Sequence, residues 1–157
     1  MLSSLDIIIR FSLSFVCGFF VGIERQLNNR IGGIHTCVLV CVGSCLFIFV
    51  GSGLGEINSP SRIAAQVVTG IGFIGSGVII KDVNQVKGLN TAATIWCCSA
   101  IGCLCGCGLW LTGLCSSIIL SFLNYILRDS HIKAFLSLIR GEPRCEKEEV
   151  DKINNIV

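Results

Sequence analysis

The sequence is poor in charge, and the charged residues it has stay out of the long apolar runs. Charged residues make up 14% of the 157 residues, hydrophobic residues make up 52%, and the mean hydropathy is +0.79. A soluble domain is about 25% charged, and so few charges could not keep this much apolar surface in water. We therefore expect an integral membrane protein whose first partner is the lipid bilayer.

The side chains that most often carry catalysis or hold metals are scarce as well. The two histidines, His35 and His131, have no nucleophile or carboxylate near them in the sequence that would suggest a triad. Glu24, Glu56 and Asp82 lie at the ends of apolar runs, whereas a magnesium pathway needs carboxylate or carbonyl oxygens inside them. No basic segment interleaved with aromatic residues indicates nucleic-acid binding. We predict no enzymatic activity, no catalytic residues, no metal site, no cofactor and no nucleic-acid partner.

Cysteine is unexpectedly frequent, with 11 residues, and most of these fall inside apolar runs. That placement argues against a disulfide framework of the kind found in small secreted proteins, and cysteine is interpreted as a small apolar filler. A zinc or redox site is the more specific alternative, but no histidine or carboxylate lies between Cys97 and Cys107. Metal binding by thiolates alone stays open.

Five apolar runs predict five transmembrane helices. The first run is not read as a signal peptide, because Asp6 stands where a basic segment should be. Residues 91–127 carry no charge and are too long for one span of about 20 residues, so we divide them near Gly106 and Gly108, where glycine permits a turn. The spans are expected at about residues 7–23, 34–54, 63–80, 91–107 and 109–127.

The distribution of basic residues predicts the orientation of this all-α membrane protein. With five spans and the N-terminus outside, every lysine and arginine except Arg10 and Arg62 falls on the cytoplasmic side, as the positive-inside rule requires. Four spans with the same start would export the basic C-terminal segment. Residues 1–128 are expected to form one transmembrane domain and residues 129–157 a cytoplasmic tail. Apolar residues at helical spacing predict a short amphipathic interfacial helix at about 131–140.

Small residues recur at helical spacing, and in lipid such faces let helix backbones approach closely. Residues 70–75 also match the dinucleotide fingerprint G-x-G-x-x-G, but no strand precedes them, so a nucleotide site is not expected. Glycines that break the helix, as transporters use, are the alternative. The predicted packing positions are Gly18, Gly22, Gly72, Ser76, Gly102 and Gly106.

Polar residues in or beside the spans are the remaining candidates for function. Intramembrane polar groups are functional candidates by default, although anchoring at the interface and pairing with neighbours explain them equally well. In the predicted orientation, Arg10 and Arg62 lie on the same side of the membrane, where they could pair or face an anion. The candidates are Arg10, Glu24, Arg25, Arg62 and Gln66.

Three segments resemble the MgtC/SapB family of membrane proteins. They are Arg10-x-x-x-Ser14-x-x-x-Gly18-x-x-x-Gly22 continuing to Gln26, residues 60–79 (PSRIAAQVVTGIGFIGSGVI), and residues 86–96 (VKGLNTAATIW) followed by Ala100-Ile101-Gly102. The resemblance implies a multi-pass protein of the bacterial inner membrane, linked to growth at low magnesium and to virulence through survival inside host cells. It also implies a regulator that acts on membrane protein complexes such as ATP synthase, and it singles out the same five polar candidates.

The chain departs from the family pattern at two places. It has His35-Thr36-Cys37 where members tend to have Arg-Thr-His or Arg-Thr-Asn, and Ser59 where they tend to have aspartate before Pro-Ser-Arg. Both changes argue against a cation-dependent or acid-dependent role. By this likeness the chain is a short form without the cytoplasmic ACT-like domain of longer members. A regulator acting through intramembrane protein contacts is the leading hypothesis, a transporter or channel for magnesium or another ion is the alternative, and a homo-oligomer is compatible with both.

Overall fold

The computed structural model describes residues 4–53, 59–82 and 85–127. These residues form five helices and two short strands: α1 (Ser4–Leu27), α2 (Ile34–Gly53), α3 (Ser59–Val78), β1 (Ile80–Lys81), β2 (Val86–Lys87), α4 (Leu89–Gly106) and α5 (Trp110–Ile126). The prediction of an all-α protein with helices at the five apolar runs is confirmed for the described residues, whereas five membrane crossings stay a prediction. The predicted interfacial helix at 131–140 and the tail at 129–157 lie outside the described residues, and the orientation in the membrane stays a prediction.

Three of these helices, α1, α2 and α4, are long and apolar enough to cross a bilayer, and α5 is apolar but has 17 residues. Helices suit such a segment because all of their backbone hydrogen bonds lie within the segment, where lipid offers no partner. The third helix has 20 residues but contains Arg62, Gln66 and several glycines, and it is not among the long apolar ones. The sequence predicts a span at residues 63–80, which begins inside α3 and runs two residues past its end at Val78, and this span stays a prediction.

The chain divides into two compact units, with the boundary between Phe122 and Leu123 inside the C-terminal part of α5. In the first unit, α2 and α4 lie centrally, because each of them contacts both α1 and α3. The described residues of the second unit complete α5, where the Leu127 amide donates to the Leu123 carbonyl oxygen at 2.8 Å.

Cysteine forms much of the core of the first unit. The thiols are free, and those in the core are fully buried, so they fill the narrow space between closely packed helices. Two polar contacts join α2 to α4 within this core: the Cys41 thiol donates to the Cys98 carbonyl oxygen at 3.1 Å, and the Ser44 and Ser99 hydroxyls lie 2.8 Å apart. The core residues are Cys17, Val21, Cys37, Cys41, Cys45, Cys98, Ile101 and Cys105.

Candidate functional site

Arg25 links three parts of the chain at one end of the bundle. It lies in the last turn of α1, and its side chain is only 4% exposed. Nη2 donates to the Thr91 hydroxyl at 2.6 Å and to the Ile31 carbonyl oxygen at 3.0 Å, and Nη1 donates to the Thr94 hydroxyl at 3.3 Å. Among the described residues no acceptor reaches Nε. The guanidinium therefore joins α1 to the α1–α2 turn and to the first turns of α4.

Glu24 lies beside Arg25 but makes different contacts. Its Oε1 accepts a hydrogen bond from Asn28 Nδ2 at 2.7 Å, and the same nitrogen donates to the Glu24 carbonyl oxygen at 2.8 Å. Its Oε2 is buried, and no donor in the described part of the chain reaches it. A carboxylate oxygen without a donor is costly to bury, so this atom and Arg25 Nε are two unsatisfied buried polar atoms that the described residues show at this end of the bundle.

Arg10 lies at the opposite end of α4 from Arg25. Its Nη1 donates to the Gly106 carbonyl oxygen at 2.9 Å and so satisfies one of the free carbonyls at the end of α4. The positive charge also faces the negative end of that helix dipole. Gly108, with φ of +86°, leaves room for the guanidinium, because a Cβ there would lie 3.0 Å from Arg10 Cζ.

Arg62 and Gln66 lie on the exposed side of α3, one turn apart. The start of α3 packs against the end of α2, since a Cβ on Gly51 would lie 3.0 Å from the Pro60 Cα. The end of α4 also packs against α2, at Ile48. The two predicted arginines, Arg10 and Arg62, therefore share one end of the bundle, and Glu24 and Arg25 occupy the other. The five polar candidates do not meet in a single site.

The glycines predicted for packing fall into two groups. Those of α1 and α4 are buried against backbone. A Cβ on Gly102 would overlap the Cys41 carbonyl oxygen, and one on Gly18 would lie 2.8 Å from the Val38 Cα. Gly22 lies against Ile34 and Gly106 against Ile48 in the same way. These two helices therefore approach α2 closely because they carry no side chain at the contact.

The glycines of α3 behave differently. Gly72 and Ser76 are exposed, and a Cβ added to Gly72 would meet no atom within 4 Å. The same holds for Gly70 and Gly77, whereas Gly75 faces Ala92 of α4. The small-residue face that the sequence assigned to helix packing is thus turned away from the other described helices.

Sequence reasoning did not select Thr91, Thr94 or Asn28. Thr91 and Thr94 are three residues apart at the start of an uncharged helix, and this spacing places both hydroxyls on the side where Arg25 arrives. Two threonines on one turn are common in membrane helices, so their spacing alone does not indicate a contact with Arg25. In the described residues no group of three or more His, Cys, Asp or Glu side chains has a geometry suited to a metal ion.

Comparison with known proteins gives one family. The MgtC family profile matches residues 11–132. The protein MgtC of Brucella abortus is 44% identical over 129 residues, which is 82% of this chain and 54% of the relative. The protein MgtC of Salmonella typhimurium is 41% identical over 144 residues, which is 87% of this chain and 62% of the relative.

An uncharacterised protein of Synechocystis is 46% identical over 121 residues, which is 77% of this chain and 52% of the relative. The chain spans between half and two thirds of the length of these curated relatives. No solved structure matches it significantly. The family match covers α1 from Phe11 onward and the whole of α2 to α5, and three of these helices are able to cross a bilayer. The chain is a membrane protein that belongs to the MgtC family.

Proposed function

We propose that this protein is a non-enzymatic regulator of the bacterial inner membrane, active in adaptation to low magnesium and in survival inside host cells. It crosses the membrane five times with its N-terminus outside, the orientation favoured by the basic residues. It acts through contacts between its helices and those of other membrane proteins, for which ATP synthase and a second copy of the chain are the candidates. One observation carries this proposal: the exposed face of α3.

This face, called the outer face of α3, consists of Gln66, Thr69, Gly70, Phe73, Ser76 and Gly77. Phe73 is 84% exposed, and the four residues around it on the helix surface, three and four positions away, are all small. The Phe73 ring therefore projects from a shallow surface, on which a Cβ added to Gly70 or Gly77 would meet no atom within 4 Å. Such a surface lets another helix approach closely, and dispersion and interhelical hydrogen bonds then hold the pair together.

Gln66 makes lipid a poor neighbour for the outer face. Gln66 carries an amide that needs hydrogen-bond partners, and hydrocarbon supplies none. The hydroxyls of Thr69 and Ser76 bond back to carbonyl oxygens of their own helix, at 3.1 and 2.8 Å. The buried glycines of α1 and α4 already pack against α2, whereas α3 keeps Gly70, Gly72 and Gly77 open on its exposed side.

The test uses two glycines that both have open space around them. Gly70→Leu places a large side chain on the outer face of α3, and Gly43→Leu makes the same change on α2; a Cβ at either position meets nothing within 4 Å. We expect both variants to fold, with unchanged thermal midpoints in detergent. Crosslinking followed by purification of membrane partners should lose its products with Gly70→Leu and keep them with Gly43→Leu, and growth at low magnesium should follow the same pattern. Equal partner recovery in the two variants would refute the proposal.

Transport of magnesium or another ion is the second candidate, and the buried Oε2 of Glu24 favours it. An acceptor oxygen without a donor is able to bind a cation. Under this second proposal Arg10, Arg62 and Gln66 line the ion path together with Glu24. These three lie at or towards the opposite end of the bundle, so an ion would have to cross the cysteine core between the two groups. Flux into liposomes that hold the purified chain separates the two functions. Uptake that is lost in Glu24→Gln would favour transport over regulation.

A further inference from the structure

We propose that the β1–β2 hairpin binds the headgroups of anionic phospholipids at the membrane surface. The binding region, called the hairpin surface, comprises both exposed faces of the ribbon, with Ile80, Lys81, Val86 and Lys87, and the adjoining Leu89. It connects the end of α3 to the start of α4, and α4 is one of the helices able to cross a bilayer. The regulatory function proposed above does not depend on this lipid binding.

The hairpin is held at the boundary of the helical bundle by its own backbone. Gly88, with φ of +91°, follows β2 and lies directly against the Val78 carbonyl oxygen, where any Cβ would overlap that atom. The Asp82 amide donates to the Gln85 carbonyl oxygen at 2.8 Å and so helps to close the turn. Because the chain leaves the hairpin directly into the first turn of α4, the strands lie at one end of a helix that is able to cross a bilayer, and the membrane surface is expected at that end.

Both faces of the ribbon combine an aliphatic side chain with a lysine. The strands are antiparallel, with Ile80 opposite Lys87 and Lys81 opposite Val86. Directly opposed residues project from the same face of a sheet, so each face carries one aliphatic group and one positive charge. Ile80 is 57% exposed, Val86 is 49% exposed, and Leu89 at the start of α4 is 55% exposed.

This combination is unfavourable in water and favourable at an anionic membrane surface. A ribbon of two-residue strands is marginally stable on its own, and its exposed aliphatic groups gain free energy when they leave water. The lysines then reach lipid phosphates while their alkyl stems stay at the boundary. Asp82 is the acidic residue of the described part of the hairpin, so lysines outnumber it and the charge complements an anionic lipid.

The α1–α2 turn extends the same surface. Arg25 binds both the Ile31 carbonyl oxygen and the Thr91 hydroxyl, so this turn lies beside the first turn of α4. Its Leu27 and Ile31 side chains are exposed, like Leu89. The surface is therefore wider than the hairpin, and the turn adds the exposed Arg30 to the two lysines of the hairpin.

The experiment titrates the full-length, detergent-purified protein with phosphatidylglycerol or with phosphatidylcholine and counts bound lipids by native mass spectrometry. We expect phosphatidylglycerol to bind more tightly, and the preference to shrink as salt is raised, because salt screens exposed charges. Lys81→Gln with Lys87→Gln should weaken binding of phosphatidylglycerol by about 5-fold for each lysine, with little effect on phosphatidylcholine. Lys81→Arg with Lys87→Arg keeps the charge and should keep the preference.

Three results would overturn the inference. They are equal binding of the two lipids by the unaltered chain, a preference that survives the glutamine double variant, and displacement of the lipid by inorganic phosphate, which would indicate a pocket for the free anion. Thermal midpoints of both double variants show whether the hairpin substitutions leave the bundle folded. Ile80→Gln with Val86→Gln is the second variant, and it should weaken binding of both lipids by a similar factor.

Discussion

The Arg25 guanidinium donates to the Thr91 hydroxyl across 2.6 Å, and this contact joins the end of α1 to the start of α4, 66 residues away in sequence. Both groups are almost completely buried. A buried guanidinium is tolerated only when acceptors surround it, and here two threonines and a backbone carbonyl oxygen supply them. The contact therefore fixes which ends of the helices meet.

Removing the Thr91 hydroxyl should destabilise the bundle. Thr91→Val keeps the shape of the side chain but leaves a buried N–H of Arg25 without its acceptor, which costs about 1–3 kcal/mol. Thermal unfolding in detergent measures the loss. The matched control is Thr112→Val on α5, since Thr112 is exposed and bonds only to the Leu109 carbonyl oxygen of its own turn. Similar midpoints for the two variants would show that the Arg25 contact contributes little.

A methyl group at Gly102 should be poorly tolerated. Gly102→Ala places a Cβ on the Cys41 carbonyl oxygen, so α2 and α4 must separate, and overpacking of this kind costs about 1–3 kcal/mol. Gly43→Ala is the control, because its Cβ meets nothing and alanine favours a helix over glycine by up to about 1 kcal/mol. Unfolding midpoints should move in opposite directions, and a fall for both would contradict this account of the packing.

Loss of the Arg10 side chain should weaken the end of α4. Arg10→Gln removes the charge and the hydrogen bond to the Gly106 carbonyl oxygen. We expect the free energy of unfolding to fall by about 1 kcal/mol, because this hydrogen bond is only partly buried. Hydrogen exchange of the last turn of α4 should increase, while exchange at the Arg25 end should not change. Faster exchange throughout the bundle would instead indicate that Arg10 supports the whole fold.

Cysteine labelling tests the orientation. Cys107 is exposed in the turn between α4 and α5, which the charge distribution places outside, and Cys145 belongs to the predicted cytoplasmic tail. A membrane-impermeant maleimide added to intact spheroplasts should label Cys107 and spare Cys145 until the membrane is opened. Cys107→Ser should remove the early label. Labelling of Cys145 first would reverse the predicted orientation.

Much of the helical architecture could be predicted from the sequence because lipid imposes simple rules. Apolar segments of sufficient length must become helices, so the five helices follow from the pattern of residues 7–127. The division of the uncharged stretch near Gly106 agrees with α4 ending at that residue. The short strands β1 and β2 were not predicted, because two-residue strands leave no periodicity to detect.

The candidate residues were harder to place. Arg25 was selected for its position beside an apolar run, but its threonine partners lie in a helix whose sequence shows no sign of an arginine nearby. Gly18 and Gly72 look alike in sequence, as small residues at helical spacing. One lies against backbone and the other faces outward, because helix rotation is set by the packing of all the helices together.

The sequence alone indicated that lipid surrounds this protein, how many helices the described residues form and to which family the chain belongs, because these depend on composition, segment length and local motifs. Only the tertiary structure decided that Arg25 meets Thr91, that α1 and α4 use their glycines against α2, and that α3 keeps its glycines on the outside. Contacts between distant segments depend on how every helix is rotated and tilted. No single stretch of residues carries that information.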